Sequence, residues 1–305
     1  KKRYSVLTIF LVTLSLAFFA ISCGGEADAP ESEMGPDVTP EVGASETIKI
    51  GVVMPLSGSL ASYGEGTLRG VELMVEKVNV DGGLEGRTIE IVVENNEGDP
   101  TKTGNAVRKL IAVHKVLAIV GPITSTNALA VNREANSKEV ALISPTATND
   151  DVTQDLDWVF RTCFTDSFQG VAVAKFAYND LGVKKAVPFE DTASDYSVGL
   201  CDNFAKTFEE LGGDTLETVS YKTGDTEFTS QLRKIREMGA GAVFVPGYPP
   251  ELPMIVNEAA SLEMEAVLLG ADGWDQDALR KNSGKNLDGT YFSAAFSPDN
   301  QTPAL

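Results

Sequence analysis

The sequence predicts an α/β fold of two similar lobes, each a parallel sheet with helices on both faces. Three observations carry that expectation. From Thr47 onward, short apolar runs rich in Val, Ile and Leu alternate with longer segments of helical period. Breakers rich in glycine and proline fall between them. The whole alternation also occurs twice, which points to two units rather than one large sheet.

In the first unit, Ile48–Met54, Thr88–Glu94, Val116–Val120 and Val140–Ile143 read as buried strands. Gly64–Val80, Thr101–His114 and Thr124–Ser137 read as helices. The first of these repeats Leu68, Val71, Val75 and Val78 on one face at three- and four-residue spacing. Gly82-Gly83, Gly98-Asp99-Pro100, Gly121-Pro122 and Ser144-Pro145 separate the elements. In the second unit, strands fit Lys185–Phe189, Leu216–Tyr221, Ala242–Val245 and Ala266–Leu269. Helices fit Ser167–Leu181, Tyr196–Leu211, Glu227–Met238 and Glu251–Leu262, and a further strand fits Thr290–Phe296.

The N-terminus reads as an address. Lys1-Lys2-Arg3 precedes an uncharged apolar run from Tyr4 to Ile21, followed by Ala20-Ile21-Ser22-Cys23-Gly24-Gly25. A cysteine directly after small residues resembles a bacterial lipoprotein signal, in which Cys23 would become the first mature residue and carry the lipid. The same stretch also fits a plain signal peptide, or an uncut anchor, since about 18 apolar residues suffice to span a bilayer. Gly24 to Glu46 then holds seven acids, no base and no aromatic residue, the composition of a disordered tether. The expected organisation is therefore a signal peptide at 1–22, a lipidated cysteine and acidic tether at 23–46, a first lobe at 47–166 and a second at 167–288. Residues 289–305 would begin a return to the first lobe.

Charge and composition exclude several functions. With 44 Asp and Glu against 25 Lys and Arg the formal charge is −19, the wrong sign for nucleic acid. One histidine and three cysteines cannot build a His-rich metal site or a four-Cys zinc site, and no metal or cofactor is expected. No phosphate-binding P-loop and no G-x-S-x-G elbow is present. Gly64-Glu65-Gly66 matches a nucleotide fingerprint only loosely, and His114 reads as a helix-end histidine with no nucleophile motif beside it. An enzyme is not the expectation. Cys163 and Cys201 read as free thiols, with a disulfide in an oxidising compartment as the other option.

In parallel α/β sheets ligands bind beyond the carboxyl ends of the strands, so function is sought in the loops there. After Val120 comes Gly121-Pro122-Ile123-Thr124-Ser125-Thr126, and after Ile143 comes Ser144-Pro145-Thr146-Ala147-Thr148. Singly, each is an ordinary helix cap. Together, on successive strands, they fit a small-anion site at a helix start, with a carboxylate the natural candidate. The second unit offers Tyr196 after its first strand, Tyr248 in Val245-Pro246-Gly247-Tyr248, and Asp272 in Leu269-Gly270-Ala271-Asp272-Gly273-Trp274. Asp272 alone could be a solvated loop residue. Opposite two hydroxyl-rich loops, it suits the ammonium of a zwitterion.

These motifs, taken in order, resemble the type I periplasmic solute-binding proteins of ABC transporters, in particular the branched-chain amino-acid receptors. The resemblance rests on Ile48–Val53 with Pro55-Leu56-Ser57-Gly58, Tyr63-Gly64, Gly70-Val71-Glu72-Leu73 and Gly82–Arg87. It continues through Glu97–Pro100, Val120-Gly121-Pro122, Ile143-Ser144-Pro145 and Asp191–Tyr196, and covers about Thr47 to Asp299. It implies two lobes joined by a hinge and an amino-acid ligand held between them. It implies an ABC permease as partner and a periplasmic or cell-surface location, held by the lipid on Cys23. Residue by residue it implies that Ser125, Thr146 (through its backbone) and Thr148 hold the charged ends of the amino acid. Asp272 would pair with the ammonium where relatives often carry Glu, Tyr196 and Tyr248 would close over the ligand, and Tyr63 would line the first-lobe side. Trp274 either shapes the side-chain pocket or caps the loop surface. Family members cross between lobes three times and continue further, so the resemblance also implies that the C-terminal part of the fold is missing from this sequence. The same fold serves aromatic acids, amides or small peptides in other receptors, and ligand-sensing ectodomains.

Overall fold

The computed structural model of the protein describes residues 47–296. The expected signal peptide, Cys23, the tether and the end of the return segment lie outside the described residues.

The first lobe runs β1 (Ile48–Met54), α1 (Ala61–Val80), β2 (Ile89–Asn95), α2 (Pro100–Lys109), β3 (Ala118–Val120), α3 (Ser125–Leu129), α4 (Asn132–Ser137), β4 (Ala141–Ser144) and β5 (Val159–Arg161). Its sheet has the order β2-β1-β3-β4-β5, all parallel. The two-residue period of a strand sends the side chains of β1 to opposite faces. Val53 joins Val107, Leu110, Ile119 and Leu142 under α2, whereas Val52 and Met54 pack with Ile123 toward α1. Asp99 caps α2, accepting from Lys102 N at 2.8 Å with Pro100 as first helical residue. Such a cap stabilises a helix by about 1 kcal/mol. At Gly64 a Cβ would stand 2.0 Å from Pro55 O, so only glycine lets α1 start this close to the end of β1.

The second lobe runs α5 (Asp166–Lys175), β6 (Lys185–Asp191), α6 (Asp195–Glu210), β7 (Asp214–Thr215), β8 (Val219–Tyr221), α7 (Thr229–Glu237), β9 (Ala242–Phe244), α8 (Glu251–Ser261), β10 (Val267–Gly270), α9 (Asp277–Ser283) and β11 (Tyr291–Phe292). The sheet order is β11-β10-β9-β6-β7, again parallel, with β8 also paired to β6. Val187, Phe189 and Val243 build the core on one face; Ala186, Ala242 and Phe244 build the other with Phe204 and Phe208 of α6. With β7 and β8, which pair successively with β6, counted as one interrupted strand, both sheets renumber within each lobe to the order 2-1-3-4-5. That order places a ligand crevice where the chain reverses direction, between the first and third strands.

Several expectations change in detail. The helix expected at Thr124–Ser137 is two short helices, because Asn132 turns its side chain onto other groups. Its Nδ2 donates to Val152 O at 3.1 Å and its Oδ1 accepts from Arg133 N. The strand expected at Leu216–Tyr221 begins earlier and is interrupted. The strand β5 had no counterpart in the sequence reading. The strand within Thr290–Phe296 is only Tyr291–Phe292, and it pairs with β10, so the second sheet reaches past residue 288.

The lobes meet at the crossover from β5 to α5. Arg161 donates to the carbonyls of Ala147, Thr148, Asn149 and Asp150 at 2.8 to 3.2 Å, fixing the loop after β4 from behind. Asp166 N donates to Thr148 O at 2.8 Å, and Asp150 accepts from both the backbone and the hydroxyl of Ser167.

Candidate functional site

The loops after β1, β3 and β4 face those after β9 and β10 across a cavity of about 330 Å³. Tyr63, Thr124 and Thr146 line it from the first lobe; Tyr248, Asp272 and Gly273 line it from the second. Among the described residues its charged lining groups are Asp272 and Asp275, with no Lys or Arg, so the cavity favours a positively charged group. Hydrogen bonds cross the gap beside it. The Tyr63 hydroxyl donates to Gly273 O at 2.6 Å, Ser62 to Gln276 Oε1 at 3.0 Å, and Asn149 Nδ2 to Asp195 O at 2.9 Å. Thr126 Oγ1 accepts from Asp195 N at 3.0 Å. A Cβ on Gly273 would come within 2.5 Å of Gly247 O and 3.1 Å of the Tyr196 hydroxyl, so glycine lets this loop pack so tightly.

Asp272 sits at the end of β10, where the strand geometry delivers its carboxyl to the crevice. Its Oδ1 accepts from the Tyr196 hydroxyl at 2.7 Å and from Gln169 Nε2 at 3.1 Å. Tyr196 in turn accepts from Gly273 N at 2.9 Å. Both side-chain donors converge on Oδ1, the backbone N–H groups of Asp272 and Gly273 also support the carboxylate, and the residue lines the cavity. Burial raises the pKa of Asp272, and the hydrogen bonds from Tyr196 and Gln169 work against that rise by stabilising the carboxylate. The phenols of Tyr63, Tyr196 and Tyr248 are all pushed up, first by burial and then by the Asp272 charge, so they stay neutral donors. Tyr248 stacks on Tyr196 at 4.7 Å and meets Tyr63 edge-on at 5.8 Å, forming an aromatic wall over the carboxylate.

Of the residues singled out from the sequence, Tyr63, Thr146, Tyr248 and Asp272 share the cavity, and Tyr196 backs it through Asp272. Thr146 donates its hydroxyl to Ile123 O at 2.6 Å, which ties the two hydroxyl-rich loops together and leaves its backbone for other contacts. Ser125 and Thr148 are fully buried behind the cavity wall. The Ser125 hydroxyl accepts from Asn149 N at 3.1 Å, and Thr148 Oγ1 has no hydrogen-bond partner among the described residues. The helix after β3 is only five residues long, so an anion there would rely on loop N–H groups and hydroxyls rather than on a helix dipole.

Trp274 does neither of the things expected of it. It is 1% exposed, donates from Nε1 to Val245 O at 2.7 Å and packs into the second lobe's core against Gly270. Gln169, 1% exposed on α5, was not anticipated, and neither were Asn149 and Thr126, which stitch the lobes. His114 lies after α2, 3.9 Å from Glu94, and Cys163 and Cys201 are free. A larger hollow of about 500 Å³, between α5 and β11, is lined by Phe176, Tyr291 and Phe292 and carries no charged group.

A sequence model of the periplasmic binding protein family matches residues 47–305. The chain belongs to that family. Membership implies a location outside the cytoplasm. Among solved structures, the leucine-binding protein LivK of Thermotoga maritima is 34% identical, with a TM-score of 0.81 over 84% of this chain and 72% of that one. The branched-chain amino-acid binding protein LivJ of Streptococcus pneumoniae, solved with isoleucine, is also 34% identical, with a TM-score of 0.78 over 85% and 74%. Leu/Ile/Val-binding protein homolog 3 of Brucella melitensis is 29% identical over 81% of this chain and 67% of its own length. The fold of this periplasmic binding protein is therefore the two-lobed one of its family, over the portion that the chain spans.

Proposed function

We propose that this periplasmic binding protein is the solute receptor of an ABC transporter, and that it holds a branched-chain or similar amino acid between its lobes for delivery to a permease. The observation that carries the reading is Asp272. A carboxylate held in place by Tyr196 and Gln169 and lining a cavity with two acids and no Lys or Arg calls for an ammonium. Opposite it stand the loops after β3 and β4, where Thr124 and Thr146 line the cavity and backbone groups suit the ligand carboxylate, while Ser125 and Thr148 lie buried behind them. The family resemblance assigns that contact to Ser125, Thr146 and Thr148, and the relatives' names and the isoleucine complex agree with an amino-acid ligand. A ligand that touches both lobes stabilises the closed arrangement over an open one by the contacts made only on closure. Charge-assisted hydrogen bonds shielded by Tyr63, Tyr196 and Tyr248 would supply most of that preference. Cys23 is the proposed lipid attachment, and the acidic segment after it the tether to the membrane.

A thermal-shift screen against the twenty amino acids, small amides and aromatic acids tests the reading. A ligand at a hundredfold excess over its Kd adds about 2.7 kcal/mol, a shift of several degrees. Stabilisation by Leu, Ile or Val supports the proposal. Stabilisation only by amine-free acids would remove the role given to Asp272 and favour an aromatic-acid receptor on the same fold.

A further inference from the structure

We infer that Gln169 is a positioning residue of the binding site, holding the Asp272 carboxylate aimed and tying it to the chain segment that leaves the second sheet. The inference rests on the reading of Asp272 as the ammonium anchor.

The geometry is specific. Gln169 is on α5, the first helix after the crossover, while Asp272 is 103 residues further along the chain. Its Nε2 donates to Asp272 Oδ1 at 3.1 Å, and its Oε1 accepts from Asp272 N at 3.2 Å. The same Oε1 accepts from Ser293 Oγ at 2.7 Å, directly after β11. Chemistry fixes the orientation of this amide. Turned over, it would set its NH₂ against the Asp272 N–H and its oxygen against a carboxylate, although the Ser293 hydroxyl serves either way. One carboxamide therefore grips the side chain and the backbone of Asp272 together, and is itself held by Ser293.

Two consequences follow for binding. Gln169 and Tyr196 both donate to Oδ1, so the Asp272 carboxyl cannot swing away without losing bonds to both. Gln169 also donates to the charged form, which works against the rise that burial imposes on this carboxyl. Hydrogen bonds to charged groups are the stronger kind. A side chain of similar length without polar atoms, as in Gln169→Met, should weaken L-leucine binding roughly ten- to a hundredfold. It should leave the analogue 4-methylpentanoate within about twofold, since that ligand has neither an ammonium nor a hydroxyl to offer Asp272.

The experiment is calorimetric titration of both probes into the full chain, wild type and Gln169→Met, from pH 4 to pH 8. It is paired with a ¹³C-carboxyl NMR titration of Asp272 without ligand. Positioning predicts that only the L-leucine affinity falls and that the Asp272 midpoint moves up. Equal losses for both probes, or an Asp272 midpoint that stays put, overturn it. Should Gln169→Met fail to fold, Ser293→Ala provides the same comparison, with a smaller fall in L-leucine affinity and a smaller upward shift expected; no shift with that variant also overturns the inference. Asp272→Ala separates this idea from the one beneath it. If Asp272→Ala binds L-leucine as well as wild type does, or if wild type binds neither probe, the anchor reading itself fails. If Asp272→Ala abolishes binding while Gln169→Met changes neither affinity nor midpoint, only the role of Gln169 fails.

Discussion

Replacing Asp166 by Asn should stabilise the folded protein at pH 8 and make little difference near pH 4. Asp166 opens α5 at the crossover, fully buried, and neither carboxyl oxygen has a hydrogen-bond partner among the described residues. The Thr148 hydroxyl faces it without closing a full hydrogen bond, and Arg161 spends its guanidinium on backbone carbonyls. Burial is the main cause that pushes its pKa from 3.8 up to about 8, with Asp272 and Asp150 adding to the rise and Arg161 opposing it. The native state therefore holds a proton that the unfolded chain releases above pH 4. Stability contributed at this position is greatest below the unfolded pKa and falls as pH climbs toward 8, where both states have lost the proton. A shift of about 4 units at about 1.4 kcal/mol each gives an upper figure on the order of 5 kcal/mol. Asn keeps the shape and removes the ionisation. Urea unfolding of both proteins at pH 5, 6.5 and 8 reads the difference, and a gap approaching 5 kcal/mol corresponds to a midpoint shift of roughly 1 to 2 M for a chain of this size. A gap that is the same at pH 5 and pH 8, or a variant less stable than wild type at pH 8, would refute the reasoning.

Other changes have equally definite outcomes. Asp272→Ala should lower L-leucine affinity by a hundredfold or more, since breaking a buried charged pair costs about 2–5 kcal/mol, while calorimetry without ligand shows an intact fold. Tyr63→Phe removes the 2.6 Å bond to Gly273 O across the cleft; a net loss of about 1 kcal/mol should appear as a roughly fivefold weaker Kd, mainly through faster ligand release in stopped-flow. Trp274→Ala should cost about 3–5 kcal/mol in chemical denaturation, as it empties core space and strands the Val245 carbonyl. Had Trp274 lined the ligand pocket, affinity would fall instead and stability would hold.

The architecture was readable because it rests on period and punctuation. The run at Ile48–Met54 is long and rich in β-branched residues, that at Lys185–Phe189 is short and apolar after its lysine, and both form interior strands of their sheets. The strand Val159–Arg161 escaped notice since three residues with an exposed phenylalanine carry no alternation to detect. The break before Asn132 depends on a side chain reaching Val152, a tertiary contact that local propensity does not encode. At the site, Asp272, Tyr248 and Tyr196 stood out by their place in loops after strand ends, whereas Tyr63 came from the family resemblance. Gln169 did not, because a glutamine on a helix has no spacing signature and its partners lie more than a hundred residues away. Trp274 was misplaced for a related reason. Four residues past the end of β10 a side chain can turn either to the crevice or back under the sheet, and only packing against Gly270 decides.

The shared strand order of the two sheets has a bearing on how this receptor could change its diet. Equivalent loops from the two lobes face each other, yet they differ in chemistry: hydroxyls, backbone and the phenol of Tyr63 on one side, a carboxylate and the phenols of Tyr196 and Tyr248 on the other. On the proposed reading each lobe would recognise a different end of the same molecule. A substitution at the tip of β10 alters what is required of the amine without disturbing the loops that meet the acid, and the reverse holds for the tips of β3 and β4. Specificity in such a scaffold is separable by lobe, so a new ligand can be reached by revising one half of the cleft while the other keeps its grip.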